Sequence, residues 1–240
     1  MQGIVISLDH ATERRTRFFS NARNHGWDIK QFDAVNKCNL KVISSNTSHC
    51  LVQDQSNFSA SIRTTVDAIG RPTVSPGNIA CALSHVLIWK RILLESLPYT
   101  FVFEDDARIL KKWSEPAWPN DTDFVFIGDR VSGLLPTNIE TEPQLAAYLQ
   151  SHRYLPLVPG CGTEAYIVTY SGAQKALKIF EELKQPVDLQ LLACAHGTRL
   201  TRHSLLKLRS PGAPECRISV TPEYYTIHDD LGHSYISDPT

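Results

Sequence analysis

The sequence has 240 residues, of which 42% are hydrophobic and 20% charged, with a formal net charge of −1. Those values exclude a disordered chain and leave no electrostatic footprint for nucleic acid or anionic lipid. Six scattered cysteines with no CxxC pair argue against structural zinc; the apolar stretches fall short of the ~20 residues that cross a bilayer, and nothing at Met1–Leu8 resembles a signal peptide, so a cytoplasmic location is expected.

In chain order, "GIVISL" (3–8) is almost wholly apolar, as a buried parallel strand is. "DHATERRTRFFSNARNHG" follows as a helix, with Asp9 or Thr12 as its cap, Phe18, Phe19 and Ala22 as its apolar side and Gly26 as its stop. "WDIKQFDAV" (27–35) alternates like a strand. A β-α-β opening implies a parallel sheet with ligand binding near the carboxyl ends of its strands.

From Asn36 to Gly77 the pattern dissolves into Ser, Asn, Gln and Thr, which predicts a long irregular insertion or lid over 36–77. "SPGNIACALSHVLIWKRILLES" (75–96) is the clearest helix, punctuated by Pro76 and Gly77 and carrying Ile79, Leu83, Val86, Leu87 and Leu94 at helical spacing. Pro98 stops it, and "YTFVFEDD" is the next strand. "DFVFIGD" (123–129) is another apolar strand, and "PQLAAYLQSH" a short helix. "GTEAYIVTYSGAQKALKIFEEL" (162–183) reads as strand, turn at Ser171-Gly172, then helix. "PVDLQLLACAHG" starts a further helix with Pro186 in its first turn, and short strands are expected at 204–208 and 216–220. No repeat or linker divides the chain. The expectation is one α/β domain over 1–240 with a mostly parallel central sheet.

Chemistry concentrates first in "FVFEDDA" (101–107), an apolar strand that runs into Glu104, Asp105 and Asp106. Strand alternation puts Glu104 and Asp106 on one side and Asp105 on the other. Converging carboxylates repel unless water screens them or a cation sits between them. Hard ions such as Mg²⁺ or Mn²⁺ want that oxygen-rich arrangement. On these residues alone, a solvated strand end and a metal site stand equally open.

The stretch 82–107 as a whole resembles the core signature of glycosyltransferase family 25, the lipooligosaccharide galactosyltransferase family. Gly77, Ala80, Cys81, Ser84, His85 and Trp89 match its G-x-x-(A/G)-C-x-x-SH-x-x-x-W pattern, and the strand ending in EDD follows. "VISLDHATERR", "GTEAYIVTYSGAQKAL", "PVDLQLL" and "IHDD" resemble further family segments, in family order across residues 3–236. Two features depart from the pattern: Ala107 stands where Val is common, and no long basic tail follows within the sequence.

The resemblance implies a GT-A, Rossmann-like fold that binds a nucleotide-sugar with Mn²⁺ or Mg²⁺. It implies inverting transfer of a hexose, foremost galactose from UDP-galactose, to a lipooligosaccharide or other glycan acceptor. UDP-glucose or a UDP-N-acetylhexosamine is the alternative donor, and a non-catalytic glycan-binding relative the alternative class. Association with the inner membrane face would come through a lipid-linked acceptor. By the same resemblance Asp106 ligates the metal, with Glu104 a further candidate ligand, and Glu104 or Asp105 steadies the ribose or metal-bound water. His228 completes the metal site, with His233 as fallback. A metal ion there stabilises charge on a departing diphosphate.

Inverting transfer needs a base to deprotonate the acceptor hydroxyl. Asp188 in "PVD" stands in that position, and Asp129 at the end of "FVFIGD" is the alternative. Asp188 is otherwise a helix-start acid favoured by the dipole. For the donor, Arg14 and Arg15 suit phosphate, Ser7 closes the first strand, and His85 lies one helical turn from Trp89. Gly160, Gly162 and Thr163 form a turn small enough for backbone to approach a sugar. Trp89 reads as core.

Overall fold

The computed structural model describes residues 2–57, 59–114, 121–130, 132–133, 143–144, 155–158, 162–195, 212–221 and 225–228. The expected strand at 204–208, most of the helix expected at 143–152, Gly160 and His233 lie outside the described residues.

The β-α-β opening is present as β1 (Gln2–Ser7), α1 (Thr12–Asn24) and β2 (Asp28–Asp33), with β1 and β2 parallel. Gly26, at φ +72°, ends the helix in the left-handed conformation that glycine adopts without strain. Neither Asp9 nor Thr12 caps α1. Ala11 holds the cap position without a side-chain bond, and Arg15 instead donates to the carbonyls of Leu8 and Asp9 at 3.0 Å each.

The polar stretch 36–77 corrects the expectation of an irregular insertion. After a short 3-10 turn at Lys37–Asn39 come β3 (Leu40–Ser45), β4 (His49–Asp54) and β5 (Ser61–Thr65), an antiparallel run. Cys50, Val52, Ile62 and Thr64 point inward, and every second residue is more exposed. That period of two carries the strands, but its inward residues are too few and too small to stand out among Ser, Asn and Thr.

Helix α2 (Pro76–Leu94) begins at Ser75, whose hydroxyl accepts from the Asn78 amide, with Pro76 in the first turn where its missing N–H costs nothing. Its 19 residues are long and apolar enough to cross a membrane by length and composition, yet eleven of them are buried in the core. Strands β6 (Tyr99–Glu104) and β7 (Ala107–Ile109) follow, then β8 (Phe124–Phe126), β9 (Ser132–Gly133), β10 (Leu155–Val158) and β11 (Ala165–Thr169). Helix α3 (Tyr170–Ile179) starts directly from β11. The expected turn at Ser171-Gly172 is its first helical turn, where Thr169 Oγ1 accepts from the Gly172 amide. The short β12 (Glu182–Leu183), helix α4 (Val187–Ala193), β13 (Ile218–Val220) and β14 (Thr226–His228) complete the described elements.

The main sheet runs β2-β1-β6-β11-β8-β13-β10-β9. It is mixed, not mostly parallel. Pairs β2/β1, β1/β6 and β8/β13 are parallel, whereas β6/β11, β11/β8, β13/β10 and β10/β9 are antiparallel. A smaller sheet orders β12-β5-β4-β3, and β14 pairs with β7 as a ribbon.

Both faces of the main sheet are covered, which explains the continuous apolar runs. Ile4, Ile6, Val102, Phe124, Phe126 and Tyr166 face one way, into a core shared with α2, α3 and α4. Val5, Phe101, Phe103, Val125 and Ile167 face the other, against Phe18 of α1, Trp27 and Trp113. The fold is therefore α/β in three layers. It leaves the carboxyl ends of β2, β1 and β6 side by side at one edge of the core.

Candidate functional site

A cleft opens at those three strand ends. Ile6, Leu8, Ala34 and Val35 make an apolar wall, and Glu104, Asp105 and Asp106 an acidic one. One face of α2, carrying Gly77, Cys81 and His85, closes the bottom. Ser84 on the same helix accepts from the Val35 amide at 2.9 Å and donates to the Ala80 carbonyl at 2.9 Å. That buried bond fixes the chain leaving β2 against α2.

The three acids do not follow strand alternation. Strand β6 ends at Glu104, and Asp105 and Asp106 occupy a turn before β7. Glu104 keeps the inward parity of Val102 and turns towards α2: its Oε1 accepts from Thr163 Oγ1 at 2.6 Å and lies 3.4 Å from His85 Nε2. Asp105 and Asp106 instead converge on Arg14. The guanidinium pairs with Asp105 and lies 3.3 Å from Asp106 Oδ2. The expectation that Glu104 and Asp106 share a side is thereby corrected, because the pleat that enforces it has ended.

Asp105 also accepts from Ser7 Oγ at 2.7 Å. Burial raises its pKa, opposed by Arg14 and Ser7. Burial pushes Glu104 upward too, but contacts from His85 and Thr163 win, and it stays below the ordinary carboxylate range. Asp106 Oδ1 is buried and has no hydrogen-bond partner among the described residues. Its Oδ2 lies 3.3 Å from His228 Nε2, and that contact raises the pKa of His228.

His228 reaches Asp106 because β14 pairs antiparallel with β7, setting His228 opposite Ala107. Asp129 is exposed, and its Oδ1 accepts from the His228 amide at 3.0 Å. Asp188 lies in the first turn of α4, half-buried, with its pKa raised by burial and by Glu104, so the two carboxylates share one field. Thr163 and Gly162 enter from the segment before β11. Gly162, at φ +150°, has no room for a Cβ beside Glu164. Arg15, bonded to the loop carbonyls after β1, turns away from the acids that hold Arg14. Trp89 is fully buried against Phe180 and is core.

One acid escaped the sequence reading. Glu164 is only 2% exposed, and its carbonyl accepts from the Glu104 amide at 2.8 Å. Its Oε1 is 3.4 Å from the Arg130 amide, and Oε2 is buried without a hydrogen-bond partner among the described residues. Burial raises its pKa to about 7, with Glu104 adding to the rise. A Cβ on either Gly128 or Gly162 would collide with its carboxylate, so two glycines make its space. The residue sits inside "GTEAY", but only the antiparallel pairing of β6 with β11 shows that it faces Glu104.

The arrangement can hold an anion's counter-ion beside a ligand with a planar ring: an apolar wall for the ring, and clustered carboxylates of which one keeps a buried oxygen without a hydrogen-bond partner among the described residues. A hard divalent ion fits the donor set, since Asp106 offers a buried Oδ1 with no hydrogen-bond partner among the described residues and an Oδ2 beside the His228 imidazole.

Comparison with known proteins gives a consistent outcome. The family described as "Glycosyltransferase family 25 (LPS biosynthesis protein)" matches residues 1–191. The chain is 30% identical over 206 residues to "Lacto-N-neotetraose biosynthesis glycosyltransferase LgtB" of Neisseria meningitidis serogroup B, covering 80% of this chain and 68% of that protein. It is 27% identical to "Lacto-N-neotetraose biosynthesis glycosyltransferase LgtE" of Neisseria gonorrhoeae, over 75% of this chain and 59% of the relative. With "Lipooligosaccharide biosynthesis protein lic2B" of Haemophilus influenzae it shares 22% identity, over 69% and 58%. The chain thus spans about two thirds or less of the length of these relatives.

Proposed function

The chain belongs to glycosyltransferase family 25, and from that membership we propose that it transfers a hexose from a nucleotide-sugar to a glycan acceptor in lipooligosaccharide biosynthesis, within a GT-A type fold. The names of the relatives support the acceptor class, and UDP-galactose is the donor the reading favours. The observation that carries the reading is Asp106, whose buried Oδ1 lacks a hydrogen-bond partner among the described residues and whose Oδ2 lies beside His228.

In this mechanism the base of the donor lies on the apolar wall of Ile6, Leu8 and Val35. Asp106 and His228 would hold Mn²⁺ or Mg²⁺, with Glu104 a further candidate ligand. When bound, such an ion supplies compensation for the charge that develops on the leaving diphosphate. Arg14 keeps Asp105 and Asp106 together and adds positive charge at the same point. Glu104, anchored by Thr163 and His85, orients donor hydroxyls.

Asp188 takes the proton from the acceptor hydroxyl as that oxygen attacks the anomeric carbon, giving inversion. Its raised pKa brings it nearer the working pH of a general base. Asp129 is less suited, because one of its oxygens already accepts from the His228 amide. Cytoplasmic action at the inner membrane face, where a lipid-linked acceptor would be met, is part of the same proposal.

The test is a transfer assay with UDP-galactose, UDP-glucose and UDP-N-acetylglucosamine on lipooligosaccharide-type oligosaccharides, with Mn²⁺ or EDTA. Transfer from UDP-galactose with inversion, lost in EDTA and restored by Mn²⁺, supports the proposal. Glycan binding without transfer or hydrolysis of any donor in Mn²⁺ would overturn it in favour of a non-catalytic relative.

A further inference from the structure

Where α2 meets the end of β6, the Cys81 thiol, the His85 imidazole and the Glu104 carboxylate each place a ligand atom within 4.8 Å of the others. Cys81 and His85 are four residues apart on one face of the helix, and Glu104 closes the adjacent strand. His85 is completely buried, and its two ring nitrogens are served differently. Nδ1 lies 2.7 Å from the Tyr166 hydroxyl, whereas Nε2 has no well-formed hydrogen bond among the described residues and sits 3.4 Å from Glu104 Oε1. An imidazole anchored through one nitrogen, with the other beside a carboxylate and a thiol in the same cluster, is the arrangement of a metal-ligating histidine. Thr163 bonds the carboxylate at 2.6 Å and so steadies the third group in the same way.

We propose that Cys81, His85 and Glu104 form a site for one thiophilic divalent cation, Zn²⁺ foremost. Its chemistry differs from that of Asp106 and His228. A sulfur, a nitrogen and an oxygen suit zinc, whereas Mn²⁺ and Mg²⁺ favour oxygen-rich sets. Three protein ligands leave a fourth position to solvent. Binding breaks the S–H bond of Cys81, forms a zinc–sulfur bond and releases one proton to water. Burial pushes the Cys81 thiol well up, and Glu104, Asp188 and Asp106 add to the rise; a bound cation offsets both effects. The bound ion ties α2 to β6, which stabilises the native chain. The sequence hides the site because the third ligand comes from a strand. The inference does not depend on glycosyl transfer.

The experiment uses the full chain stripped of metal and titrated with Co²⁺, then with Zn²⁺. The expected result is thiolate-to-cobalt charge-transfer absorption that saturates with one Co²⁺ at the Cys81 site, lost when Zn²⁺ displaces it. Cys81→Ser should lose the band and bind Zn²⁺ about ten-fold or more weaker, whereas Asp106→Asn should keep both. Zn²⁺ should also raise the melting temperature of the parent more than that of Cys81→Ser. A parent chain without the charge-transfer band overturns the proposal, and that spectrum needs no variant. So does a band that survives Cys81→Ser, or one that disappears in folded Asp106→Asn.

Discussion

The Arg14 guanidinium on α1 pairs with the Asp105 carboxylate in the turn after β6 and lies 3.3 Å from Asp106. The paired side chains are 13% and 9% exposed, so water does little to screen the carboxylates. Arg14→Met removes the cation and leaves two acids facing each other. In EDTA it is expected to cost about 3 kcal/mol in urea unfolding, as breaking a buried pair does. Mn²⁺ should narrow the gap to the parent by supplying the missing charge. Equal stability of parent and variant in EDTA would show that the pairing carries no weight.

His228 Nε2 stands 3.3 Å from Asp106 Oδ2 because β14 pairs with β7. His228→Ala and Asp106→Asn should each raise the Mn²⁺ concentration needed for half-maximal transfer, and the Asp106 change should do so more. Activity titrated against free Mn²⁺ measures this. An unchanged requirement in both variants would remove these residues from the metal site.

Asp188→Asn keeps the shape of the side chain and removes the base. Turnover should fall by about 10²–10⁴-fold while donor KM stays near that of the parent. A variant that lost donor affinity but kept kcat would shift the role to Asp129.

Glu164 gives the chain a pH signature. Burial lifts its pKa from 4.5 to about 7 in the fold. Between those values the folded chain holds a proton that the unfolded chain has released, so stability falls as pH rises across that window. The contribution is about 3 kcal/mol between the two limits. Urea midpoints in EDTA from pH 4.5 to 7.5 should fall for the parent and change less for Glu164→Gln. Identical slopes for the two proteins would remove Glu164 as the source.

The same carboxylate explains Gly128, whose hypothetical Cβ collides with Glu164 Oε1. Gly128→Ala is expected to cost about 2 kcal/mol through overpacking. In a Glu164→Ala background it should cost less than half of that, because the colliding group is gone. Additive effects in this double-mutant cycle would contradict the contact.

Much of the framework is written locally. "GIVISL", "YTFVFE" and the apolar positions of 75–96 specify β1, β6 and α2 by period and length alone. The residue types of "FVFEDDA" likewise specify that charge accumulates at one strand end. Where the inward set was small and diluted by polar residues, as in β3 to β5, period alone did not suffice.

Tertiary structure decided everything that depends on a distant partner. Strand direction is one case: β11 inserts antiparallel between β6 and β8, and nothing in its own residues states which neighbour it will pair with. The acids are another. Where the pleat ends at Glu104, the directions of Asp105 and Asp106 are set by a helix brought alongside, which supplies Arg14. The sequence by itself determined that three carboxylates gather at one strand end, to be met by water or by a cation. Only the fold, by packing α1 against one face of the sheet and α2 against the other, divided them. Arg14 meets Asp105 and Asp106, and His85 and Thr163 meet Glu104.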